Sequence, residues 1–320
     1  MIAGYITATQ VKLARATQRK GELHLLDRMS FDNCDFSDFS SILKLYRKRV
    51  HSDSAAACFG VAGPVINNAV TATNIPWRLD TADIAGEFGF KQVRLINDLE
   101  ATAHGLFLLK DDSFYTINEG AGKGQGNIGM VAAGTGLGEA LISFDGRTYT
   151  PYASEGGHAD FAPGSQLEAE LWEYIYAHRG YVEVEDVVSL PGLETIYRFL
   201  IEHDRMVTGD WFKKARDKPA AIIEKALADA DDVAVKTLDM LVDSYASEAA
   251  NLALCGMTTG GVYLCGSIAP QIATHLDQGR FMSRFVKKGK MGSLLSEMPV
   301  GVILEKETAL LGAAAAGLKS

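Results

Sequence analysis

The sequence predicts an α/β protein made of a duplicated unit, with two domains and a ligand cleft between them. Three observations predict it. The chain has 320 residues, 47% of them apolar, which exceeds a usual single core. Strand-like and helix-like segments alternate in an α/β order. A strand-turn-strand layout also opens each half of the chain, and such internal symmetry suggests a repeated unit with ligands bound between the copies.

In order, Met1 to Ala8 is strand-like, Val11 to Ala16 can pair back on it, and Glu22 to Met29 supplies a third strand. A helix is expected from Asp38 to Arg49, a buried strand at Ala55 to Val61, a turn at Gly63-Pro64 and a return strand at Ala69 to Thr73. Thr81 to Phe88 reads as a helix, and Gln92 to Ile96 as a strand ending at Asn97-Asp98. After a Gly-rich stretch from Gly120 to Gly126, Ile128 to Ala133 and Gly138 to Phe144 flank the turn Gly134-Thr135-Gly136. The later part is mainly helical: Gln166 to Arg179, Leu193 to His203, Pro219 to Ala228 and Val233 to Leu254. Gly261 to Cys265 and Val300 to Leu304 read as strands, and a helix from Thr308 to Leu318 closes the chain. The expected domains are a small one over 1–106, completed by 305–320, and a large one over 107–304.

Composition narrows the function classes. Formal net charge is −9, and the short basic runs Lys213-Lys214 and Lys287-Lys288-Gly289-Lys290 lie in mixed-charge stretches, as solvated faces do, so no nucleic-acid partner is expected. Cys34, Cys58, Cys255 and Cys265 form no CxxC pair. Three of them sit in small-residue or apolar surroundings typical of buried reduced thiols, so a cytoplasmic location is expected. Apolar residues precede basic ones at the N-terminus, and no apolar run reaches membrane-spanning length, so no membrane partner is expected. HExxH, GxSxG and GxxxxGK[ST] are absent, which removes the motif cues for a zincin, a serine hydrolase and a P-loop. No metal site is expected from Cys or His spacing.

Four segments could carry chemistry. Asn97-Asp98 follows an apolar strand, where open α/β sheets place ligand groups. The same pair would also cap the helix starting at Leu99. Glu155-Gly156-Gly157-His158 joins an anion and an imidazole to two glycines that allow close backbone approach. That combination suits a polyhydroxylated ligand, whose buried hydroxyls each need a partner, and equally a polar turn. Gly134-Thr135-Gly136-Leu137-Gly138 offers amides and a hydroxyl to an anion, or is a plain hairpin using glycines for positive φ. Glu185 lies in an acidic run that reads as a solvated turn. His24, His51, His104, His178, His203 and His275 are scattered as surface or core residues.

Together these segments resemble the bacterial glucokinases of the hexokinase, actin and Hsp70-like ATPase superfamily, over nearly the whole chain. The most specific pieces are Leu95-Ile96-Asn97-Asp98-Leu99-Glu100-Ala101, Ala133-Gly134-Thr135-Gly136-Leu137-Gly138 and Glu155-Gly156-Gly157-His158-Ala159-Asp160-Phe161-Ala162-Pro163. Thr73-Asn74-Ile75-Pro76-Trp77 and Val188-Ser189-Leu190-Pro191-Gly192-Leu193 fit as well. No CxCGxxGC motif follows His158, which separates the chain from the repressor/kinase (ROK) relatives.

The resemblance implies the two-domain actin-like (ribonuclease H-like) fold and ATP-dependent phosphorylation of glucose at its 6-hydroxyl, as part of glycolysis. It makes Asp98 the general base and places Asn74, Asn97, Asp98, Glu155, His158 and Glu185 on the sugar. Thr9, Gly134, Thr135, Gly136 and Gly266 fall on the ATP side, with Mg2+ as the accompanying ion. Dimers are common among such relatives, so a homodimer is compatible.

The first phosphate loop departs from that pattern. Relatives read Gly-Asp-Ile-Gly-Gly-Thr where this chain has Gly4-Tyr5-Ile6-Thr7-Ala8-Thr9. Tyr5 replaces the aspartate expected to organise Mg2+, and Thr7 and Ala8 replace two glycines that let amides approach phosphate. The adenosine motif shifts more mildly, to Cys265-Gly266-Ser267-Ile268. Two expectations follow: an active glucokinase, or a glucose-binding pseudokinase serving as sensor or regulator. A kinase for another hexose or phosphoryl donor is a third.

Overall fold

In a computed structural model that describes residues 1–71, 77–121, 125–206 and 209–318, β1 (Ile2–Ile6), β2 (Gln10–Arg19) and β3 (Glu22–Asp32) form an antiparallel meander. The β2–β3 register shifts between Leu13 and Arg15, opposite Asp27, which takes φ 51°. The chain then crosses through α1 (Phe39–Val50) to β4 (Ala56–Val61), parallel to β1. It continues through β5 (Ala69–Thr71), β6 (Arg78–Asp80) and α2 (Thr81–Phe88) to β7 (Gln92–Asn97), parallel to β4. The sheet order is β3-β2-β1-β4-β7.

One face of this sheet packs Ile2, Ile6, Phe59 and Val61 against Phe39, Ile42, Leu43 and Tyr46 of α1. The other face is built from small residues. Here α3 (Asp98–Leu106) meets the C-terminal helix. A Cβ on Gly105 would lie 2.0 Å from Thr308 O, and one on Gly312 would lie 1.6 Å from Ala101 O, so these two glycines permit the helix backbones to touch. These elements make one compact unit, Met1–Asp111 with the stretch from Glu305 onward.

The second unit, Asp112–Leu304, repeats the design. Its strands are β8 (Phe114–Asn118), β9 (Ile128–Ala133), β10 (Leu137–Phe144) and β11 (Tyr149–Ser154). Five helices follow: α4 (Gln166–Arg179), α5 (Leu190–His203), α6 (Asp210–Lys214), α7 (Lys218–Leu227) and α8 (Asp232–Gly256). Next come β12 (Gly261–Gly266), α9 (Ala273–Leu276), α10 (Arg280–Phe285), α11 (Gly292–Ser296) and β13 (Val300–Ile303), before α12 (Thr308–Leu318) returns to the first unit. The sheet order is β11-β10-β9-β12-β13-β8. Its first five strands match the first sheet position for position: an antiparallel meander joined to two parallel strands. The core gathers Val131, Val262 and Leu264 of the sheet with Leu193, Leu238, Tyr245 and Phe281 of the helices. Tyr245 is fully buried and its hydroxyl donates to Val131 O at 2.8 Å.

Some expectations need correction. The expected return strand at Ala69 to Thr73 is a strand over Ala69–Thr71, which pairs with Arg78–Asp80 in a separate two-stranded sheet; its last two positions lie outside the described residues. Strand β11 was not anticipated because Pro151 interrupts its pattern; a proline is tolerated there because β11 is an edge strand. All four cysteines are free, but only Cys58 and Cys265 are buried. Cys255 is exposed on the last turn of α8 despite its apolar neighbours. No helix among the described residues is long and apolar enough to cross a membrane.

Candidate functional site

Two clusters of candidate residues form, one in each unit, both at the carboxyl ends of parallel strands. In the first unit, Ile6, Val61 and Asn97 are in register across β1, β4 and β7. The turn after β1, the loop after β4 and the Asn97-Asp98 pair therefore share one sheet edge.

Asn97 is the N-cap of α3. Its Oδ1 accepts the N–H groups of Leu99 at 2.8 Å and Glu100 at 3.3 Å, and its Nδ2 donates to Gly63 O at 3.3 Å. Capping is thus real for Asn97. Asp98 is the first residue of the helix, and its Oδ1 accepts Leu99 N–H at 2.9 Å.

The turn after β1 is closed by its own side chain. Thr7 N–H donates to Gln10 O at 2.9 Å, the Thr7 hydroxyl donates to the same oxygen at 3.0 Å, and Gln10 N–H donates back to Thr7 Oγ1 at 3.0 Å. Asn33 braces the turn through Thr7 O and Thr9 O. Thr9 is exposed. Tyr5 is half-buried and packs on the cluster of Cys58, Ile96, Ala101 and Ala309. Asn74 lies outside the described residues.

The second unit brings the rest together. The turn after β9 is held by Gly134 N–H donating to Gly136 O at 2.8 Å, and Leu190 N–H donates to Gly134 O at 2.7 Å. None of Gly134, Gly136 and Gly138 takes a positive φ, so the hairpin explanation for these glycines fails. Space is the reason at Gly136. A Cβ there would lie 2.5 Å from Glu185 Oε2, and that carboxylate accepts Leu137 N–H at 2.7 Å. Gly266 takes φ 82°, and a Cβ on it would lie 2.3 Å from Ala133 O. Ile268 N–H also donates to Ala133 O, at 3.1 Å, so the Cys265 to Ile268 segment lies beside the turn.

Glu155 leads into a 3-10 turn over Gly156–His158, and Glu185 sits in another over Val184–Asp186. The two segments are zipped together: Val184 N–H donates to Ala159 O at 3.0 Å and Phe161 N–H to Val182 O at 2.9 Å. Gly157 makes a further close approach, since a Cβ would lie 2.0 Å from Leu137 O. Glu155, His158, Glu185, Gly134, Thr135, Gly136 and Gly266 thus belong to one neighbourhood. Glu155, Thr135 and His158 are exposed there.

Two residues that sequence reasoning missed support this neighbourhood. Glu183 Oε2 lies 2.6 Å from His158 Nδ1. This bond raises the His158 pKa above its ordinary value; partial burial opposes it, and the charges of Glu185, Glu183 and Glu155 add to it. Glu139, buried on β10, presses its carboxyl against Gly156. Burial, and then neighbouring Glu248, pushes it up to about 8. A surface cavity of about 300 Å³ in the first unit, between Asp38, Trp77, Asp83 and Glu87, is lined by none of the candidate residues. Its size alone gives it no chemistry.

Two copies of a meander-plus-parallel-strand unit, each carrying polar turns at its strand ends, define the actin-like ATPase class of α/β proteins. The glucokinase family model matches residues 2–320. The chain is 36% identical over 333 residues to the glucokinase of Trichormus variabilis, covering 98% of this chain and 97% of that protein. A glucokinase structure from an Antarctic psychrotroph is 28% identical and superposes with a TM-score of 0.85, covering 100% of this chain and 99% of the other. The glucokinase of Balamuthia mandrillaris, solved with glucose, shares the fold at 19% identity and a TM-score of 0.82, covering 100% and 93%. The chain belongs to the glucokinase family.

Proposed function

We propose that this protein phosphorylates glucose at the 6-hydroxyl, with ATP as donor and Asp98 as general base. In this reaction the sugar O6–H proton passes to the Asp98 carboxylate, an O6–P bond forms and the bond from the γ-phosphorus to the ADP oxygen breaks. Positioning dominates such transfers. Asn97 and Asp98 supply it from the rigid head of α3. Glu155, His158 and Glu185 are assigned to the sugar hydroxyls, together with Asn74.

The observation that carries this reading is the anchoring of Asn97-Asp98. Two hydrogen bonds accepted and one donated by Asn97, and one accepted by Asp98, hold a carboxylate at the end of a parallel strand, within a family of glucose kinases. On the donor side, Gly134, Gly136 and Gly266 offer backbone without side chains and Thr135 an exposed hydroxyl, suited to the phosphates of ATP, and Thr9, just before β2, is assigned to the same ligand. Tyr5 supplies no carboxylate for Mg2+. No group of three or more potential metal-ligating side chains occurs among the described residues, so no step is assigned to a protein-held ion.

Tyr5 and the self-closed Thr7 turn favour a second reading, a glucose-binding pseudokinase acting as sensor or regulator. A coupled assay with glucose and Mg-ATP, beside calorimetric titration of each ligand, separates the two. Turnover at ordinary glucokinase rates supports the kinase; glucose binding without turnover supports the pseudokinase. Asp98→Ala is expected to abolish transfer, by about 10²-fold or more, while glucose affinity is largely kept. Unchanged turnover would remove Asp98 from the role of base.

A further inference from the structure

We propose that Glu183 positions His158 for sugar binding, fixing Nδ1 as a donor to its own carboxylate and leaving Nε2 for a sugar hydroxyl. The inference rests on the assignment of His158 to the sugar.

The 2.6 Å separation of Nδ1 and Oε2 is that of a charge-assisted bond. Such a bond sets which ring nitrogen carries the proton. Glu183 is itself held: its N–H donates to Asp186 Oδ2 at 3.0 Å, and Asp186 pairs with Arg179 of α4. Its backbone lies between two cross-segment bonds, Phe161 to Val182 and Val184 to Ala159, and it bridges to Asp160. Both halves of the pair are therefore mounted on backbone tied together. Without Glu183, the His158 side chain, 48% exposed, would rotate freely.

The charge matters as well as the angle. Glu183, Glu185 and Glu155 all raise the His158 pKa, and partial burial lowers it. Asp160 and Asp186 lie alongside Glu183, Arg179 offsets Asp186, and Glu139 sits against Gly156 of the same turn. The protonated ring presents Nε2–H as a donor. As pH rises through the raised pKa, that donor is lost.

The test is calorimetric glucose titration from acid to mildly alkaline pH on the wild type, His158→Ala, Glu183→Gln and Glu183→Ala. Glu183→Gln keeps an acceptor for Nδ1–H and removes the charge. It is expected to match the wild type at acid pH and to weaken earlier as pH rises, falling about tenfold behind near neutrality. Glu183→Ala is expected to be about tenfold weaker throughout. Ring-proton NMR should show His158 titrating at lower pH in both variants. If the protein turns over, KM for glucose should rise while kcat holds.

Glucose affinity in both Glu183 variants within twofold of wild type at every pH, with His158→Ala weakened, overturns the inference and spares the sugar assignment. Unchanged binding in His158→Ala overturns the assignment and the inference with it. An unshifted His158 titration in Glu183→Gln also overturns the inference, whether or not any sugar is present.

Discussion

Replacing Gly136 by alanine would place a Cβ 2.5 Å from Glu185 Oε2 and 3.1 Å from its Cδ. No real contact is that short, so one side must move. The obstructing atoms are the far end of a flexible side chain, so Glu185 swings away while the turn survives. That movement breaks the 2.7 Å bond from Leu137 N–H to Glu185 Oε2. A hydrogen bond to a charged group contributes about 1.5–3 kcal/mol. At roughly 2–4 °C per kcal/mol for a unit of this size, the melting temperature should fall by about 3–12 °C.

The same swing removes Glu185 from its proposed place on the sugar, so glucose affinity should fall by about tenfold or more. Gly157→Ala is the internal control, because there the obstruction is the backbone oxygen Leu137 O at 2.0 Å. That oxygen cannot swing away, so the loss of stability should be greater. Calorimetric glucose titration and thermal unfolding read both variants. A Gly136→Ala protein that melts within a degree of wild type and binds glucose equally well would refute the reasoning.

Three further outcomes are expected. Restoring the family loop with Tyr5→Asp, Thr7→Gly and Ala8→Gly together should strengthen Mg-ATP binding, measured by calorimetry, at some cost in stability; no gain in binding would show that this loop does not limit the protein. Arg284→Met should lower unfolding free energy by about 3–5 kcal/mol, because Glu168 is 3% exposed and its partner is Arg284 Nη2 at 2.9 Å; urea unfolding within 1 kcal/mol of wild type would refute it. His203 bridges Glu170 of α4 and Asp204, at 2.9 and 2.7 Å, and its pKa is raised first by the Asp204 bond. Its contribution is therefore fully present below the ordinary histidine value of about 6.5 and lost as pH rises through the raised one. The melting-temperature gap between wild type and His203→Gln should be largest at acid pH and close on the alkaline side, and a gap that is flat with pH would refute the assignment.

Long, strongly patterned elements were legible from sequence. Thr81–Phe88, Gln166–Arg179 and Thr308–Leu318 have the bounds that their apolar spacing and caps predict. The three-residue strands β5 and β6 were not legible, because a strand that short carries no period. The Asn97-Asp98 pair left two readings open, and the structure uses Asn97 as a cap. Glu183 was hidden for a different reason. In Glu183-Val184-Glu185-Asp186 three carboxylates look alike, and only the pairing with Asp160 aims one of them at His158. The glycines of Gly134 to Gly138 were visible, but not their purpose: a missing φ requirement and a nearby carboxylate are facts of tertiary structure.

The duplication gives the degenerate loop a physical meaning. Strands β1 and β9 hold the same place in their sheets, as do β2 and β10, so the turns after β1 and after β9 are equivalent. In each, the residue opening the turn donates its N–H across it, Thr7 to Gln10 O and Gly134 to Gly136 O. The amide that opens the next strand is then treated differently. Leu137 N–H is taken by Glu185, from a distant segment, whereas Gln10 N–H is taken by Thr7 Oγ1, from within the turn itself. A glycine at position 7 would leave that Gln10 amide available, and threonine closes it. The first turn has thus exchanged an amide that could face an anion for a local bond that stabilises the hairpin. Tyr5, on the strand that leads into this turn, packs on Cys58, Ile96, Ala101 and Ala309 and supplies no carboxylate. On the proposed function, both features leave the first turn with less to offer a ligand, while in the other copy the turn remains free of side chains at Gly134 and Gly136. The two ligand sides are therefore expected to respond independently: substitutions at 5, 7 and 8 should move nucleotide affinity, and substitutions at 158 and 185 should move glucose affinity.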